Sequence, residues 1–184
     1  MANETADAPR IEALGPDGGP DLESFLKRVP RGEYLFLKDE IDDPAVMHTW
    51  SKQGALIFLA FLGEDLAGLL AVLPGLGWSA HVGEFRMVVD PAKRGRGVGA
   101  ALARQGLVAA VTAGLEKVSV EVLADQEAVA ALFRDLGFAS EALLVDHVRD
   151  DAGDFHDLLV LSHQVARTWS GLATIGMVES GVEA

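Results

Sequence analysis

The segment "DPAKRGRGVGA", residues 90–100, constrains the fold of this chain more than any other part of the sequence. Three cations and three glycines lie between Lys93 and Gly99, in a chain whose formal net charge is −13. An apolar, strand-like segment (81–89) precedes it, and an alanine-rich segment with helical spacing (98–113) follows it. First-turn N–H groups of a helix lack intrahelical acceptors, and glycine lets an anion approach the backbone closely. The pattern predicts a strand, an anion-binding loop and a helix; the alternative is a solvated turn that caps the helix.

The composition is that of a globular domain, and it disfavours several classes of function. There is no cysteine among the 184 residues, which excludes disulfides, thiolate catalysis and cysteine-based zinc sites. The acidic net charge disfavours nucleic acid as a partner. No apolar run reaches the roughly 18 residues that span a bilayer, and the first ten residues have neither a basic start nor an apolar core. We therefore expect a cytoplasmic protein without a signal peptide and without membrane association.

The hydrophobic pattern predicts a mixed α/β (α+β) fold with one domain over 9–164. Residues 1–8 are expected to be disordered, and the tail 165–184 lacks clear periodicity. Two apolar runs flank Gly63-Glu64-Asp65 and indicate a β-hairpin. The predicted strands span 9–14, 55–62, 66–73, 81–89, 117–123, 142–148 and 154–163. The predicted helices span 22–29 with Asp21 as cap, 44–53 with Asp43 as cap, 98–113 and 127–136.

Three anion-binding motifs compete for the glycine-rich loop. A P-loop needs Gly-Lys-Ser/Thr at its end, which the sequence Gly97-Val98-Gly99-Ala100 does not provide. A dinucleotide fingerprint is formally matched by Gly95, Gly97 and Ala100, but its first glycine should directly follow the strand in a parallel βαβ sheet. The third match is Arg94-Gly95-Arg96-Gly97-Val98-Gly99, which satisfies the pattern R/Q-x-x-G-x-G/A.

This third pattern resembles the coenzyme A pyrophosphate loop of the GNAT (Gcn5-related N-acetyltransferase) superfamily. The segment "MVVDPAKRGRGVGAAL" is similar to the family's fourth strand, loop and following helix, and "ADQEAVAALFRDLGF" (124–138) is similar to the segment after its fifth strand. The resemblance extends over about 55–163. It implies a central, mostly antiparallel mixed sheet that splays between the strands at 81–89 and 117–123, flanked by helices, with acetyl-CoA bound in the splay.

The resemblance also implies which residues bind the cofactor. The backbone of Met87, Val88 and Val89 would pair with the pantetheine arm. Gln126 stands where the family usually has asparagine beside that arm, and Phe133 would pack beside the cofactor. Lys93 and the arginines of the loop would add positive charge. The backbone that would hold the pyrophosphate belongs to Arg94, Gly95, Arg96, Gly97, Val98, Gly99 and Ala100.

The implied reaction is direct acetyl transfer to an amine in a ternary complex, and the catalytic candidate is Glu84. Glu84 would take the proton from the amine; the alternative is a strand carboxylate that pairs with Arg86, two residues along on the same face. The family's usual acid is a tyrosine, at whose position this chain has Phe133. Its single tyrosine, Tyr34, is a weak substitute, and water can protonate a departing thiolate. A non-catalytic module that binds or senses coenzyme A therefore stays open.

The acceptor is the least constrained part of the prediction. In the family, the N-terminal helices and the last hairpin build its site, and a small-molecule or peptide amine fits the resemblance. Trp50 and Trp78 are expected in the core, with an acceptor pocket as the alternative. A homodimer is left open. His147, His156 and His163 do not have metal-ligand spacing, so no metal is predicted, and the final turn is acidic.

Overall fold

A computed structural model of the chain describes residues 8–15, 21–30 and 45–165. Seven strands and four helices occupy these ranges. The strands are β1 (Arg10–Ala13), β2 (Leu56–Leu62), β3 (Asp65–Pro74), β4 (Val82–Val89), β5 (Lys117–Leu123), β6 (Ala139–Arg149) and β7 (Phe155–His163). The helices are α1 (Asp21–Arg28), α2 (Ala45–Lys52), α3 (Val98–Thr112) and α4 (Glu127–Asp135). None of the described helices is long and apolar enough to cross a membrane.

All seven strands form one mixed sheet in the order β1-β2-β3-β4-β5-β7-β6. Every neighbouring pair is antiparallel except β4 and β5, which run parallel. The parallel pairing begins at Val82↔Lys117 and ends at Phe85↔Val120, although β4 continues to Val89 and β5 to Leu123. The sheet therefore opens between the second halves of β4 and β5. We call this opening the fork, and it confirms the predicted splayed mixed sheet.

The two faces of the sheet carry separate hydrophobic clusters. One cluster joins α3 and α4 to the sheet through residues such as Leu102, Phe133 and Phe85. The other joins α1 and α2 to the opposite face through Phe25 and Trp50. Because side chains alternate along a strand, Phe85 of β4 faces α3 and α4, whereas Glu84, Arg86 and Val88 face α1 and α2. Side chains from both faces of the sheet therefore border the fork.

Most predicted elements are confirmed, and their ends differ by a few residues. The strand over 117–123 has the predicted bounds, and the last hairpin exists, with β7 inserted between β5 and β6. The prediction for Trp78 was wrong: this side chain is 96% exposed in a 3₁₀ turn between β3 and β4, whereas Trp50 is 1% exposed, as a core residue should be. Tyr34, the Asp43 cap and most of the termini lie outside the described residues.

Gly68 of β3 allows α3 and the neighbouring strand β4 to pack closely against the middle of β3. A Cβ at this position would lie 2.9 Å from the carbonyl oxygen of Val88 and 3.1 Å from side-chain atoms of Val98 and Leu102. We expect Gly68→Ala to lower the free energy of unfolding by about 1–3 kcal/mol, because the backbone oxygen cannot rotate away. Urea denaturation measures the change. Gly15→Ala is the matched control, since a Cβ there meets no atom within 4 Å. Equal stability of the two variants would contradict this account.

Candidate active site

The glycine-rich loop connects β4 to α3 through two tight turns. Asp90 directly follows β4, and its Oδ1 accepts a hydrogen bond from the Ala92 N–H (2.9 Å), which caps the 3₁₀ turn that follows. Gly95 and Gly97 have φ angles of 74° and 79°, in the left-handed region that favours glycine. Gly97 is also the N-cap of α3 and offers no side chain to the first turn. The first-turn N–H groups of α3 are therefore presented to an external acceptor.

The start of the loop is held by α1. Asp90 is 6% exposed, and its Oδ2 lies 3.6 Å from Nε of Arg28. Nη2 of the same arginine donates to the carbonyl oxygen of Leu66 (2.9 Å) at the start of β3. A buried carboxylate needs such partners. Through these two contacts, Arg28 of α1 connects β3 to the start of the anion-binding loop.

The three cations of the loop do not share one role. Nζ of Lys93 lies 2.7 Å from Oδ2 of Asp65, at the start of β3, and this hydrogen bond holds the pKa of Asp65 below its ordinary value. Arg94 lines the cleft described next, and Arg96 is exposed on the loop. The charge of Lys93 is therefore paired with Asp65 at the start of β3, whereas Arg94 lines the cleft and Arg96, whose charge also acts on Asp65, is exposed on the loop.

A cleft of about 560 Å³ occupies the fork. Its walls come from the second half of β4, the second half of β5, the β5–α4 turn and the first turns of α4. Among the residues predicted from sequence, the cleft is lined by Glu84, Met87, Val88, Val89, Arg94, Gln126 and Phe133. Gly95 to Ala100 form the adjoining loop and the first turn of α3. The cleft brings the predicted base, the predicted pantetheine-binding segment and an arginine of the loop together.

The hydrogen-bond alternation of β4 decides which backbone groups face the fork. The Gly75 N–H donates to the Val82 carbonyl (2.8 Å), and the Asp90 N–H donates to the Ala67 carbonyl (2.9 Å). The β3–β4 register has no shift between these bonds, so even-numbered residues of β4 direct their N–H and C=O groups to β3. Backbone groups of Met87 and Val89 therefore point toward the β5 side, beyond the last β4–β5 pair. Those of Val88 point to β3.

Two predicted cofactor contacts come from α4. Gln126 is the N-cap of this helix, but its side chain makes no capping hydrogen bond and lies on the cleft wall. Phe133 is 1% exposed, and its ring meets that of Phe138 edge-on at 5.1 Å between centroids. Phenylalanine at this position fills the floor of the cleft and supplies no acidic proton.

Glu84 pairs with Arg86, the contact that the sequence analysis gave as the alternative to a catalytic role. Nε of Arg86 donates to Oε1 of Glu84 at 3.2 Å. The Arg86 guanidinium also lies over the ring of Trp50, with 5.8 Å between Cζ and the ring centroid. Burial lowers the pKa of Arg86, and the charge of Glu121 opposes that shift. Glu84 is thus part of an ion pair and at the same time lines the cleft.

Sequence reasoning missed the acidic residues on the β5 side of the cleft. Glu121, Asp125 and Glu127 line it together with Glu84. The alternation in "KVSVEVL" predicts that Glu121 lies on the polar face of β5. It does not predict that this face lies beside the fork, because that depends on how β5 pairs with β4.

Two of the three histidines of the last hairpin, His156 and His163, have partners within the structure. Nε2 of His156 lies 3.0 Å from Oδ2 of Asp150, and this hydrogen bond raises the pKa of His156 and lowers that of Asp150. Nδ1 of His163 donates to the Gly137 carbonyl (2.8 Å). These contacts agree with the structural role expected of both residues.

Comparison with known proteins identifies the family. The model of the acetyltransferase (GNAT) family matches residues 22–138, more than half of the chain. No curated protein sequence gives a significant match.

Several solved structures share the fold. An N-acetyltransferase from Staphylococcus aureus Mu50 is 18% identical, with a TM-score of 0.72 over 85% of this chain and 98% of that one. A ribosomal-protein-alanine N-acetyltransferase from Brucella melitensis is 19% identical (TM-score 0.71, 84% and 99% covered). A spermidine N-acetyltransferase from Vibrio cholerae, in complex with CoA and spermine, is 18% identical (TM-score 0.71, 88% and 98% covered). At these identities the similarity establishes the fold alone. Together with the family match, it leads to one assignment: the chain belongs to the GNAT acetyltransferase family and is an acyltransferase of that family.

Proposed function

We propose that residues 9–164 form an N-acetyltransferase domain that transfers the acetyl group of acetyl-CoA directly to an amine within a ternary complex. The observation that carries this proposal is the fork between β4 and β5, which opens beside the uncapped first turn of α3. A peptide-like arm fits into the opening as an additional strand would. A pyrophosphate fits against the N-terminus of the helix.

The residues around the fork suit acetyl-CoA. We assign the pantetheine contacts to backbone groups of Met87 and Val89, since the β3–β4 register commits those of Val88 to β3. Backbone N–H groups from Arg94 to Ala100 would hold the pyrophosphate, with the side chains of Arg94 and Arg96 balancing its charge. Gln126 and Phe133 would contact the arm from α4, and Val88 contributes its side chain to the wall.

In the proposed mechanism, Glu84 removes the proton from the attacking amine, directly or through one water molecule. Bound acetyl-CoA would supply the thioester that the amine attacks. A backbone N–H of β4 that faces the fork, from Met87 or Val89, would donate to the carbonyl oxygen on which negative charge develops. Phe133 excludes water from the floor of the cleft but cannot protonate the departing sulfur. Solvent protonates it, because an ordinary thiol has a pKa of about 8.5.

The acceptor is a small-molecule or peptide amine in this proposal, and the charges of the cleft favour one that carries positive charge. Among the described residues, four carboxylates line the cleft (Glu84, Glu121, Asp125 and Glu127) against two arginines (Arg86 and Arg94), and the chain carries −13 overall. Such a field raises the local concentration of cations. Among the structural neighbours, one acetylates spermidine and another a ribosomal-protein alanine, as their names state.

Calorimetry with acetyl-CoA, followed by thiol release across a panel of amines, tests the proposal. The panel should contain a polyamine, an aminoglycoside, free amino acids and short peptides with a free N-terminus. Binding of acetyl-CoA with acceptor-dependent thiol release supports an enzyme. Binding without release from any amine favours a coenzyme A sensor, the alternative suggested by Phe133. Absence of binding would contradict both.

Phe133→Tyr tests whether a missing acid limits the reaction. We expect kcat to stay within about threefold of the parent value. General acids elsewhere accelerate reactions by about 10²–10⁴-fold, but a thiolate departs with little help from an acid. Steady-state thiol release at several pH values measures it, and thermal unfolding checks that the buried hydroxyl is tolerated. A rise in kcat on the order of 10²-fold would show that protonation of sulfur is limiting and that this step of the mechanism is misassigned.

A further inference from the structure

We propose that Arg86 is a positioning residue for this reaction, which holds the carboxylate of Glu84 at the mouth of the fork. This inference rests on the proposed function. It assigns a role to a residue for which the resemblance to the family implied none. Two contacts of the guanidinium and its place opposite Glu121 in the sheet carry the proposal.

The first contact is with Glu84 itself. Nε of Arg86 donates to Oε1 of Glu84 at 3.2 Å, between side chains that are 15% and 28% exposed respectively. Residues two apart on a strand project from the same face, so the bond joins neighbours without distorting β4. It uses one of the five N–H donors of the guanidinium and leaves the others for further partners.

The second observation concerns the opposite side of the fork. The β4–β5 register pairs Glu84 with Ser119 and Phe85 with Val120, and then stops. Continued by one residue, the same register would set Arg86 opposite Glu121. These two residues are therefore the first on each side of the opening. Both residues line the cleft, and the negative charge of Glu121 favours the charged guanidinium of Arg86 at this edge of the opening.

The third observation is a contact with α2. The guanidinium lies over the ring of Trp50, 5.8 Å from Cζ to the centroid, and that ring is 1% exposed in the cluster beneath α1 and α2. A surface arginine would normally extend its charged end into water. Here the guanidinium lies between an aromatic face and the Glu84 carboxylate, an arrangement that suits the planar guanidinium of Arg better than the ammonium of Lys.

These contacts restrict the positions of the Glu84 carboxylate. A glutamate has three rotatable side-chain bonds, and a base that leaves its reactive position loses rate without losing the cofactor site. A misplacement of about 1 Å can cost on the order of 10²-fold in rate. Arg86 lines the cleft but lies on the face of the sheet opposite α3, so we expect its removal to leave the first turn of α3 unchanged.

The test compares Arg86→Met, which keeps the packing on Trp50, with Arg86→Lys. We expect Arg86→Met to lower kcat by about 10- to 100-fold while the Kd for acetyl-CoA changes by less than about threefold. Arg86→Lys should recover part of kcat, since one ammonium can hold one carboxylate oxygen. If Arg86→Met does not fold, as thermal unfolding would reveal, Arg86→Gln takes its place with the same expectation. Unchanged kcat, or parallel losses in kcat and acetyl-CoA affinity, would overturn the proposal.

A double-mutant cycle with Glu84→Gln distinguishes positioning from a general structural role. If Arg86 acts through Glu84, the double variant should be no slower than Glu84→Gln alone, since residues that act as a unit are non-additive. Multiplied losses would contradict the proposal. Failure of the proposed function gives a different result, because the parent protein would then release no thiol with any amine.

Discussion

Replacement of Glu84 by Gln should lower kcat at neutral pH on the order of 10²–10⁴-fold, the usual loss when a general base is removed. Glutamine keeps the length of the side chain and can accept a hydrogen bond from Arg86 through its amide oxygen. It cannot accept the proton of an amine. The substitution therefore separates proton transfer from packing. The Kd for acetyl-CoA, measured by calorimetry, should stay close to the parent value, since the proposed cofactor contacts come from the loop, from Met87 to Val89 and from Gln126 and Phe133, and not from Glu84.

Glu121→Gln provides the comparison for this experiment. Glu121 lines the same cleft from β5 and carries the same charge, so both variants change the net charge of the site equally. A large loss in Glu84→Gln and a smaller one in Glu121→Gln assigns the base to β4. The reverse order would contradict the assignment and move the base to β5. Equal, moderate losses would indicate that only the negative charge of the cleft matters, as a steering field for a cationic acceptor.

The sequence was sufficient for the parts of the fold that local patterns determine. The apolar runs of β2 and β3 meet at a short turn, and the alternation in β5 predicts its bounds without error. The glycine-rich loop was also predictable, because positive φ angles at Gly95 and Gly97 follow from the tight turns that join a strand to a helix over a few residues. In these segments the residues that decide the structure are neighbours in the chain.

Contacts between distant segments could not be read in the same way. The Lys93 charge was expected at the anion site, yet it pairs with Asp65, 28 residues away, because the β2–β3 turn lies beside the loop in the folded sheet. Arg86 was expected only as a partner of Glu84, whereas α2 supplies Trp50 and β5 supplies the charge of Glu121. Trp78 was misplaced because its hydrophobicity says nothing about which element covers it. Each of these outcomes depends on sheet order and register.

The unequal surroundings of the loop cations lead to a test of the cofactor site. We expect the double variant Arg94→Ala/Arg96→Ala to weaken acetyl-CoA binding by about 10- to 100-fold. A hydrogen bond to a charged group contributes roughly 1.5–3 kcal/mol when it is shielded from solvent, and exposure of both side chains reduces each contribution to about 1 kcal/mol. Isothermal titration calorimetry gives the Kd directly. Because exposed charges are screened, the difference between parent and variant should shrink as the salt concentration rises.

Lys93→Ala is the matched control, since it removes the same charge from the same loop. Nζ of Lys93 is held 2.7 Å from Oδ2 of Asp65, so its contribution to a pyrophosphate at the start of α3 is largely cancelled by that carboxylate. We expect the Kd of this variant to stay within about twofold of the parent value, in keeping with the small energy of an exposed ion pair. If Lys93→Ala weakened binding as much as the double variant, the loop would act through its total charge. The expectation that Lys93, because it pairs with Asp65, contributes less to binding than Arg94 and Arg96 would then be wrong.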